Sequence, residues 1–364
     1  MNIVLSSIGA LKNTKESARI TLFLLAKELQ AQGHEVRIIA KGKDPEEIEK
    51  MEEIDGVKVY RAALSGIPFL LRRLHVQQKI DLVHSFSASP LFLLPHLFGP
   101  WKTVHTLKSY SKQKIGRYGY SILALADKVT VPTAYVAAQL SFPKKAKKVQ
   151  VVYSLIDMQK FSPQDPEHKQ QLKIKYGYDT KKVVFYYGAL WEEKGVNVLL
   201  KSIPQLMKKI PETTFVFAPR YQNIREQQEL IRELGVEDQI QWVMDNIPIE
   251  DYVNLADVVV LPYLNMNGTE GNPSCMLEAM ACKTTVVTSN LPELTEIGEG
   301  SVLFAEPSDS GDLAKTISAA LTMKSKEKQK MLEKAYAKST EFDSKIIAQE
   351  FVKLYTHLKA KTSR

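Results

Sequence analysis

Two glutamates near residue 270 are spaced so that their carboxylates could bind the hydroxyl groups of a sugar or nucleotide. Glu270 and Glu278 are separated by seven residues, and Pro273 lies between them. Pro273 suits the first position of a helix, because its ring sets φ near the helical value and its missing N–H group costs nothing there. A helix that begins at this point directs free N–H groups and its positive dipole end back toward the loop, which favours a diphosphate. A carboxylate at this place would accept hydrogen bonds from ribose or sugar hydroxyls.

The predicted helix has an apolar stripe that fixes the direction of Glu278. Leu277, Met280 and Ala281 form the stripe that should face the core. Glu278 lies about 100° from the centre of that stripe, at its edge, and its carboxylate can turn toward a ligand. The residues predicted to bind a ligand with phosphate and hydroxyl groups here are Glu278, Gly271, Asn272 and Ser274, together with Glu270 in the loop.

Strand and helix signals alternate from the start of the chain, which indicates parallel sheets with crossover helices. A helix with apolar positions from Ile20 to Leu29 should end at Gly33. The strands predicted in the first half cover residues 2–5, 36–40, 57–61, 81–85, 102–106, 128–132 and 149–153.

A polar segment with two prolines, residues 157–166, is typical of a linker, and the alternation restarts after it. Strands are expected at 183–187, 214–218, 240–243, 258–262, 285–288 and 301–304, and helices at 196–209, 274–282 and 344–359. We predict an N-terminal domain at 1–160, a C-terminal domain at 161–340, and a final helix within 341–364 that could pack back on the first domain. Two such halves leave a cleft in which ligands bind.

The stretch around the two glutamates closely resembles a family signature. The strand at 258–262, a polar loop, the motif Glu-Gly-x-Pro and the run Leu-Glu-Ala-Met-Ala are similar to the E-x7-E signature of the large retaining GT-B glycosyltransferase family, the glycosyl transferases group 1 and family 4-like enzymes. The resemblance covers nearly the whole chain. It implies an α/β fold of the GT-B type, in which two Rossmann-like parallel-sheet domains face each other across a cleft, the first binding the acceptor and the second the nucleotide sugar.

By the same resemblance, the loop from Gly188 to Gly195, which ends in Lys-Gly, belongs to the donor site. Lys194 would neutralise the donor diphosphate as it leaves, and Glu270 would contact the transferred sugar, so both are predicted to be catalytic. The family usually has Arg after the first glycine of this loop, and here the residue is Ala189. Either Lys194 works with less help, or Arg220, after the next strand, supplies a second cation.

Two histidines end adjacent predicted strands of the first half. His105, in the run Val-His-Thr, resembles the family's histidine beside the transferred sugar and is predicted to be catalytic. His84 ends the preceding strand, and both a structural role and a functional role are open for it.

The resemblance implies hexose transfer from a nucleotide diphosphate donor with retention, front-face attack, and no metal or other cofactor. No Asp-x-Asp element stands in the loop where a metal-dependent transferase would hold its cation. Catalysis would then rest on positioning and electrostatics. Two alternatives remain open: a nucleotide-sugar epimerase of the same architecture, and a non-catalytic GT-B partner protein.

Composition and charge limit the class of protein and the compartment in which it is expected. With 44% hydrophobic and 25% charged residues and two cysteines, the 364-residue chain is typical of a globular protein in a reducing compartment. No long apolar segment precedes the first strand, so we expect a cytoplasmic protein. Residues 1–150 contain 23 Lys and Arg against 12 Asp and Glu, a net +11, whereas residues 151–364 have 26 against 29, a net −3.

Basic residues of the first half interleave with apolar ones at 68–74 and 107–118. Such a mixture suits an anionic lipid surface, although a solvated face gives the same pattern, and nucleic acid is not an expected partner. The expected partners are a nucleotide sugar and an anionic or lipid-linked glycan acceptor. The expected setting is glycolipid or surface polysaccharide synthesis, with peripheral contact to the inner face of the membrane.

Overall fold

The computed structural model describes residues 1–7, 17–42, 51–220, 224–244, 247–267, 269 and 271–360, without the side chains of residues 17–19, 112–114 and 117. The chain forms two compact units. The first contains Met1–Leu155, Asn267–Gly271 and Ser344–Arg364, and the second contains Ile156–Met266 and Asn272–Asp343. Each unit is built on its own β-sheet.

The sheet of the first unit has eight strands within the described residues, and only its edge strand β3 is antiparallel to its neighbour. In sheet order the strands are β3 (Met51–Ile54), β4 (Val57–Ala62), β2 (Glu35–Lys41), β1 (Asn2–Ser7), β5 (Leu82–Ser87), β6 (Lys102–Leu107), β7 (Lys128–Val131) and β8 (Val149–Val151). The helices are α1 (Ser17–Ala31), α2 (Ile67–Gln77), α3 (Lys112–Leu123), α4 (Ala134–Gln139), α5 (Lys145–Lys148) and, at the end of the chain, α14 (Ser344–Ala360), with a 3₁₀ helix at Pro90–His96.

Helices cover both faces of this sheet, and β1 is therefore buried at all six positions. Ile3 and Leu5 point into a core that also contains side chains of α1 and α14, whereas Val4 packs with α2 on the opposite face. The alternation follows from the two-residue period of a strand. α1 ends where Gly33 adopts a φ of 79°, and the N–H of His34 then binds the Leu29 carbonyl at 3.1 Å.

The sheet of the second unit has six strands within the described residues, all parallel. In sheet order they are β11 (Ile240–Trp242), β10 (Thr213–Pro219), β9 (Lys182–Gly188), β12 (Val258–Leu261), β13 (Thr285–Ser289) and β14 (Leu303–Ala305). The helices are α6 (Pro166–Lys175), α7 (Val196–Met207), α8 (Arg225–Leu234), α9 (Ile249–Leu255), α10 (Ser274–Ala281), α11 (Pro292–Gly298), α12 (Ser310–Thr322) and α13 (Ser325–Thr340).

The core of the second unit is built from the apolar stripe of α7 and the central strands. Leu199, Ile203 and Leu206 of α7 are fully buried against Val184 of β9 and Phe215 of β10. These positions recur at three- and four-residue intervals, which is the spacing of one helix face. The predicted class, two α/β domains with parallel sheets, is confirmed.

β3 and α13 are among the elements that were not predicted from the sequence. β3 forms an antiparallel hairpin with β4 and alternates between exposed and half-buried residues, so it lacks a buried apolar run. α13 has 16 residues of which only Ala335 and Ser339 are buried, and it therefore has no apolar stripe to detect. In the described part of the chain, no helix is both long and apolar enough to cross a bilayer.

Candidate functional site

α10 begins at Ser274, the first residue of the predicted range, but Pro273 does not belong to the helix. Pro273 has φ −63° and ψ 130°, an extended conformation, and is the N-cap of the helix, so its placement at the first helical position was wrong. The fixed φ of proline fits both positions, and ψ decides between them. The Pro273 carbonyl accepts a hydrogen bond from the N–H of Met276 at 3.0 Å. Ser274, the first helical residue, is 9% exposed, and the preceding Gly271 and Asn272 are buried.

Glu278 lies on the second turn of α10, half-buried as expected for the edge of the apolar stripe. The phenol of Tyr187, at the end of β9, donates a hydrogen bond to Glu278 Oε2 at 2.9 Å. The same hydroxyl lies 3.0 Å from the carbonyl oxygen of Cys275. Tyr187 was not predicted as a site residue, because an aromatic residue in a buried strand is usually a core residue.

Several groups act on the protonation of Glu278. Burial raises the pKa of the Glu278 carboxyl above its ordinary value. Hydrogen bonds from Tyr187 and Ser274 and the charges of Lys160 and Arg220 act in the opposite direction on the same pKa. Hydrogen bonds to the charged form of a carboxyl favour ionisation. Glu278 is therefore a partly buried carboxylate whose charged form is stabilised by hydrogen bonds and by nearby cations.

Lys194 ends a short 3₁₀ helix, Glu192–Lys194, and is half-buried. Its Nζ lies over the ring of Tyr263, 4.7 Å from the ring centre. An ammonium group at this distance from an aromatic face is held by cation–π attraction. Tyr263 follows β12 and leads into the loop before α10, so this contact places Lys194 near the start of that loop.

Gly195 fixes the path of the chain beside Lys194. Its φ is 69°, and a Cβ added there would lie 1.7 Å from the Pro262 carbonyl oxygen. Only glycine combines this left-handed conformation with so close a backbone approach. The start of α7 is therefore pressed against the end of β12, which explains why the Lys-Gly pair occurs at this point of the sequence.

Gly188 and Arg220 lie together at the carboxyl ends of β9 and β10. The N–H of Arg220 donates a hydrogen bond to the Gly188 carbonyl at 2.8 Å. Arg220 and Lys194 both act on the half-buried Cys275 thiol: burial raises its pKa to about 11, the charge of Glu278 adds to that rise, and the two cations oppose it. The charges of Lys194, Arg220 and Glu278 thus all act on Cys275, which lies in the first turn of α10.

His105 belongs to the first unit, where it lies on β6 and is fully buried. Its Nδ1 lies 2.8 Å from Ser85 Oγ, and its Nε2 has no hydrogen-bond partner among the residues that the structure describes. Burial, with a smaller contribution from His96, lowers the pKa of His105 to about 3. The imidazole is therefore neutral near pH 7.

His84 is held on both sides of its ring, which favours the structural interpretation. Its Nδ1 lies 2.6 Å from the Tyr355 hydroxyl and its Nε2 lies 2.7 Å from Thr106 Oγ1. The ring also stacks on Phe86, with ring centres 3.9 Å apart. Both nitrogens of His84 are thus used within the first unit.

Glu270 lies outside the described residues, so its position stays a prediction. Across the part of the chain that the structure covers, no three His, Cys, Asp or Glu side chains come together in a group that could hold a metal ion. The predicted independence from metal also stays a prediction.

Two protein-family models match the chain. The model described as "Glycosyl transferases group 1" matches residues 166–338, and the model described as "Glycosyltransferase Family 4" matches residues 18–160. The first match covers α6 to α13 and includes Lys194, Arg220 and Glu278. The second covers most of the first unit and includes His105.

Two relatives are identical to the chain at about a quarter of the aligned positions. The GDP-mannose-dependent alpha-(1-6)-phosphatidylinositol monomannoside mannosyltransferase of Mycolicibacterium smegmatis is 24% identical over 280 residues, which is 70% of this chain and 72% of that protein. Spore coat protein SA of Bacillus subtilis is 23% identical over 358 residues, 90% of this chain and 91% of the relative.

Solved structures have the same fold over nearly the full length. Sucrose-phosphate synthase from Thermosynechococcus elongatus superposes with a TM-score of 0.82 at 19% identity, covering 99% of both chains. HepE from Anabaena, solved in complex with UDP and glucose, superposes with a TM-score of 0.80 at 17% identity, covering 98% of this chain and 99% of that one.

Proposed function

The chain belongs to a GT-B glycosyltransferase family, and we propose that it transfers a hexose from a nucleoside diphosphate donor to an acceptor, with retention of anomeric configuration and without a metal ion. The observation that carries the proposal is that Tyr187 holds the Glu278 carboxylate on α10, and that the charges of Lys194 and Arg220 act on Cys275 in the first turn of the same helix. A donor with an anionic diphosphate and a ribose diol needs both kinds of group.

The diphosphate binds at the start of α10 in this proposal. The N-terminal turn of a helix offers unpaired N–H groups and a positive dipole end. Lys194 and Arg220 add two positive charges there, and their attraction grows as negative charge develops on the leaving diphosphate. Arg220 is the second cation that the sequence left open, and its N–H bond to Gly188 fixes the backbone from which its side chain extends.

Glu278 binds the ribose hydroxyls. An ionised carboxylate has two oxygens with about four acceptor positions, which suits two neighbouring hydroxyl donors. The hydrogen bonds from Tyr187 and Ser274 occupy part of this capacity and leave the remainder for the ligand. Glu278 is thus a hydroxyl acceptor, and no proton transfer is assigned to it.

Glu270 and His105 contact the transferred sugar, as the family resemblance implies. A neutral imidazole suits this role, because it can donate or accept a hydrogen bond without placing a cation beside a developing oxocarbenium ion. Burial keeps His105 in that neutral form. The acceptor attacks from the face that the diphosphate leaves, and a phosphate oxygen takes its proton, so that catalysis depends on positioning and electrostatics.

The acceptor is an anionic, lipid-linked molecule at a membrane surface, in glycolipid or surface polysaccharide synthesis. Support comes from α2, whose outer stripe consists of Phe69, Arg72, Arg73 and Val76 at helical spacing. Phe69 is 78% exposed and Val76 is 82% exposed. Arginines flanked by exposed apolar side chains favour an anionic lipid interface. The lipid acceptor in the name of the mycobacterial relative agrees with this setting.

The test is release of nucleoside diphosphate from a panel of UDP-, GDP- and ADP-sugars, with a membrane lipid extract as acceptor. We expect the wild-type protein to turn over one donor, and Lys194→Ala to lower kcat by about a hundredfold, the typical effect of losing one electrostatic contact in a transition state. Lys201→Ala, which removes an exposed lysine of α7, is the matched control and should keep full activity. Full activity of a folded Lys194→Ala protein would contradict the assignment.

A further inference from the structure

We propose that Tyr187 is a positioning residue, which holds the Glu278 carboxylate in the orientation that binds the ribose of the donor. The inference rests on the proposed function, because it takes Glu278 as the ribose ligand. Tyr187 lies on β9, whereas the other residue that donates a hydrogen bond to the Glu278 carboxylate, Ser274, lies on α10.

The ring of Tyr187 is fixed by its neighbours. Its side chain is 7% exposed, and it stacks on Phe185 with ring centres 5.1 Å apart and planes 13° from parallel. Phe185 in turn contacts the ring of Tyr252, 5.7 Å away. Offset aromatic stacking of this kind restricts ring motion. The hydroxyl of Tyr187 is therefore presented to α10 from a rigid support.

The hydroxyl has one hydrogen to donate and two acceptors within reach, Glu278 Oε2 at 2.9 Å and the Cys275 carbonyl at 3.0 Å. A charged acceptor makes the stronger bond, so the carboxylate takes the hydrogen. Burial and the nearby carboxylate of Glu278 raise the pKa of Tyr187 well above its ordinary value. The phenol therefore stays protonated and remains a donor at neutral and acidic pH.

Glu278 is the group of this cluster whose protonation can change below neutral pH. The titratable and charged groups that act on it or respond to it are Tyr187, Cys275, Cys282, Tyr263, Lys160 and Arg220. Burial raises the pKa of Cys275 to about 11, that of Cys282 to about 12, and that of Tyr263 well above its ordinary value. These thiols and phenols keep their protons while Glu278 titrates.

Loss of the Tyr187 hydroxyl has two consequences for Glu278. One carboxylate oxygen loses its fixed donor, and the side chain can then adopt rotamers that do not face the ligand. The charged form also loses a supporting hydrogen bond, so the pKa of Glu278 rises further above its ordinary value. Both effects weaken ribose binding and leave the diphosphate contacts of Lys194 and Arg220 in place.

The test uses Tyr187→Phe in the full-length protein, because this change keeps the stacked ring and removes one oxygen atom. Calorimetry measures the dissociation constants of UDP and GDP, and of the 2′-deoxy form of whichever binds tighter. We expect Tyr187→Phe to weaken binding of the ribonucleotide about tenfold, as expected for one hydrogen bond to a charged group. The preference of the protein for ribose over deoxyribose should fall by a similar factor, and kcat with the matching donor should change less than twofold.

The pH dependence of ribonucleotide binding is a second measurement. It would not change in Tyr187→Phe if Tyr187 had only a structural role. Ribonucleotide binding weakens as the pH falls through the pKa of Glu278, because the carboxylate becomes protonated. Since the lost hydrogen bond favoured the charged form, this acid limb should move to higher pH in Tyr187→Phe. Tyr178→Phe is the matched control: it removes a buried hydroxyl that binds Gln241 at 2.8 Å, and it should keep both the ribose preference and the acid limb.

Two negative results have different meanings. A folded Tyr187→Phe protein that binds the ribonucleotide with wild-type affinity and full preference for ribose overturns the role of Tyr187 and leaves the proposed function intact. A wild-type protein that binds neither UDP nor GDP, nor any nucleotide sugar of the panel, overturns the proposed function and this inference together.

Discussion

Burial acts on Glu278 and His105 in opposite pKa directions, and both shifts favour the neutral side chain. The pKa of Glu278 is raised and that of His105 is lowered to about 3. At Glu278, two hydrogen bonds and two cations oppose the effect of burial, whereas the nearby His96 adds to the effect at His105. We infer that the protein uses Glu278 for its charge and His105 for its neutral ring.

The buried histidines should make the protein less stable in mild acid. The folded-state pKa values of His105 and His96 are about 3 and about 4, below the ordinary value of 6.5. Between those values the unfolded chain binds protons that the folded chain does not, so the free energy of unfolding falls as the pH is lowered from 7 toward 4. Each histidine should account for a loss of about 2 kcal/mol at pH 5.

Denaturant unfolding at pH 7 and pH 5 measures this loss. In His105→Gln, the difference in unfolding free energy between the two pH values should be smaller than in the wild type by about 2 kcal/mol, because glutamine does not titrate. An unchanged difference would mean that His105 is accessible to protons in the folded protein.

Lys194, Arg220 and Glu278 could be named from the sequence, because they flank strand ends and a helix start that local patterns reveal. Their roles stay predictions, and the structure adds that the charges of all three act on Cys275 of α10. Tyr187 could not be predicted, since its role depends on a contact with a residue 91 positions away. Pro273 was assigned to the wrong helix position because φ alone does not separate the N-cap from the first turn.

Among the secondary-structure elements, the start of α7 approaches the end of β12 so closely that a side chain at position 195 would collide with the backbone. Gly195→Ala would place a methyl group against the Pro262 carbonyl, where backbone must move. We expect this change to lower the free energy of unfolding by about 3 kcal/mol or more, and to weaken donor binding by displacing Lys194. Thermal or denaturant unfolding and nucleotide titration measure the two effects.

Gly235→Ala separates the steric effect from the backbone effect. Gly235 has a φ of 64°, close to that of Gly195, but a Cβ there would meet nothing within 4 Å. Its replacement should cost only about 1 kcal/mol, the cost of the left-handed conformation, and should keep donor binding. Equal losses for the two variants would show that the contact with Pro262 has no energetic importance.

The alternation of strands and helices could be predicted because buried strands are continuous apolar runs and helices have apolar stripes. β3 and α13 lack these signals: β3 lies at a sheet edge with two glutamates among its four residues, and seven of the 16 residues of α13 are charged. Tertiary contacts form both elements, since β3 pairs with β4 and α13 packs against α10. Local sequence patterns do not report such contacts.

At the scale of the whole molecule, the charge of the chain is divided unevenly between its two halves. Residues 1–150 have a net charge of +11 and residues 151–364 a net charge of −3, by the count of Lys and Arg against Asp and Glu. A basic half attracts anionic partners over distances up to the Debye length. The α2 stripe, with two arginines between Phe69 and Val76, concentrates charge and apolar surface in one place.

The membrane proposal predicts salt-dependent binding to anionic vesicles. The protein should sediment with phosphatidylserine-containing vesicles at low salt and less at high salt. Arg72→Gln/Arg73→Gln should weaken binding about 30-fold, since each cation near the surface contributes about 1 kcal/mol. Lys208→Gln/Lys209→Gln removes two exposed charges from the second unit and should have no comparable effect. Failure of the wild type to bind at low salt would contradict the proposal.

We propose that this protein transfers a hexose from a nucleotide donor with retention, and the anomeric configuration of the product tests this proposal. The protein is incubated with sugar-labelled UDP-, GDP- and ADP-hexoses and a membrane lipid extract, and the product is analysed by NMR. We expect one labelled glycosylated product, with the anomeric configuration of the donor, whose formation falls about a hundredfold in Lys194→Ala. A product of inverted configuration, or conversion of the donor to its epimer without release of nucleoside diphosphate, would contradict it.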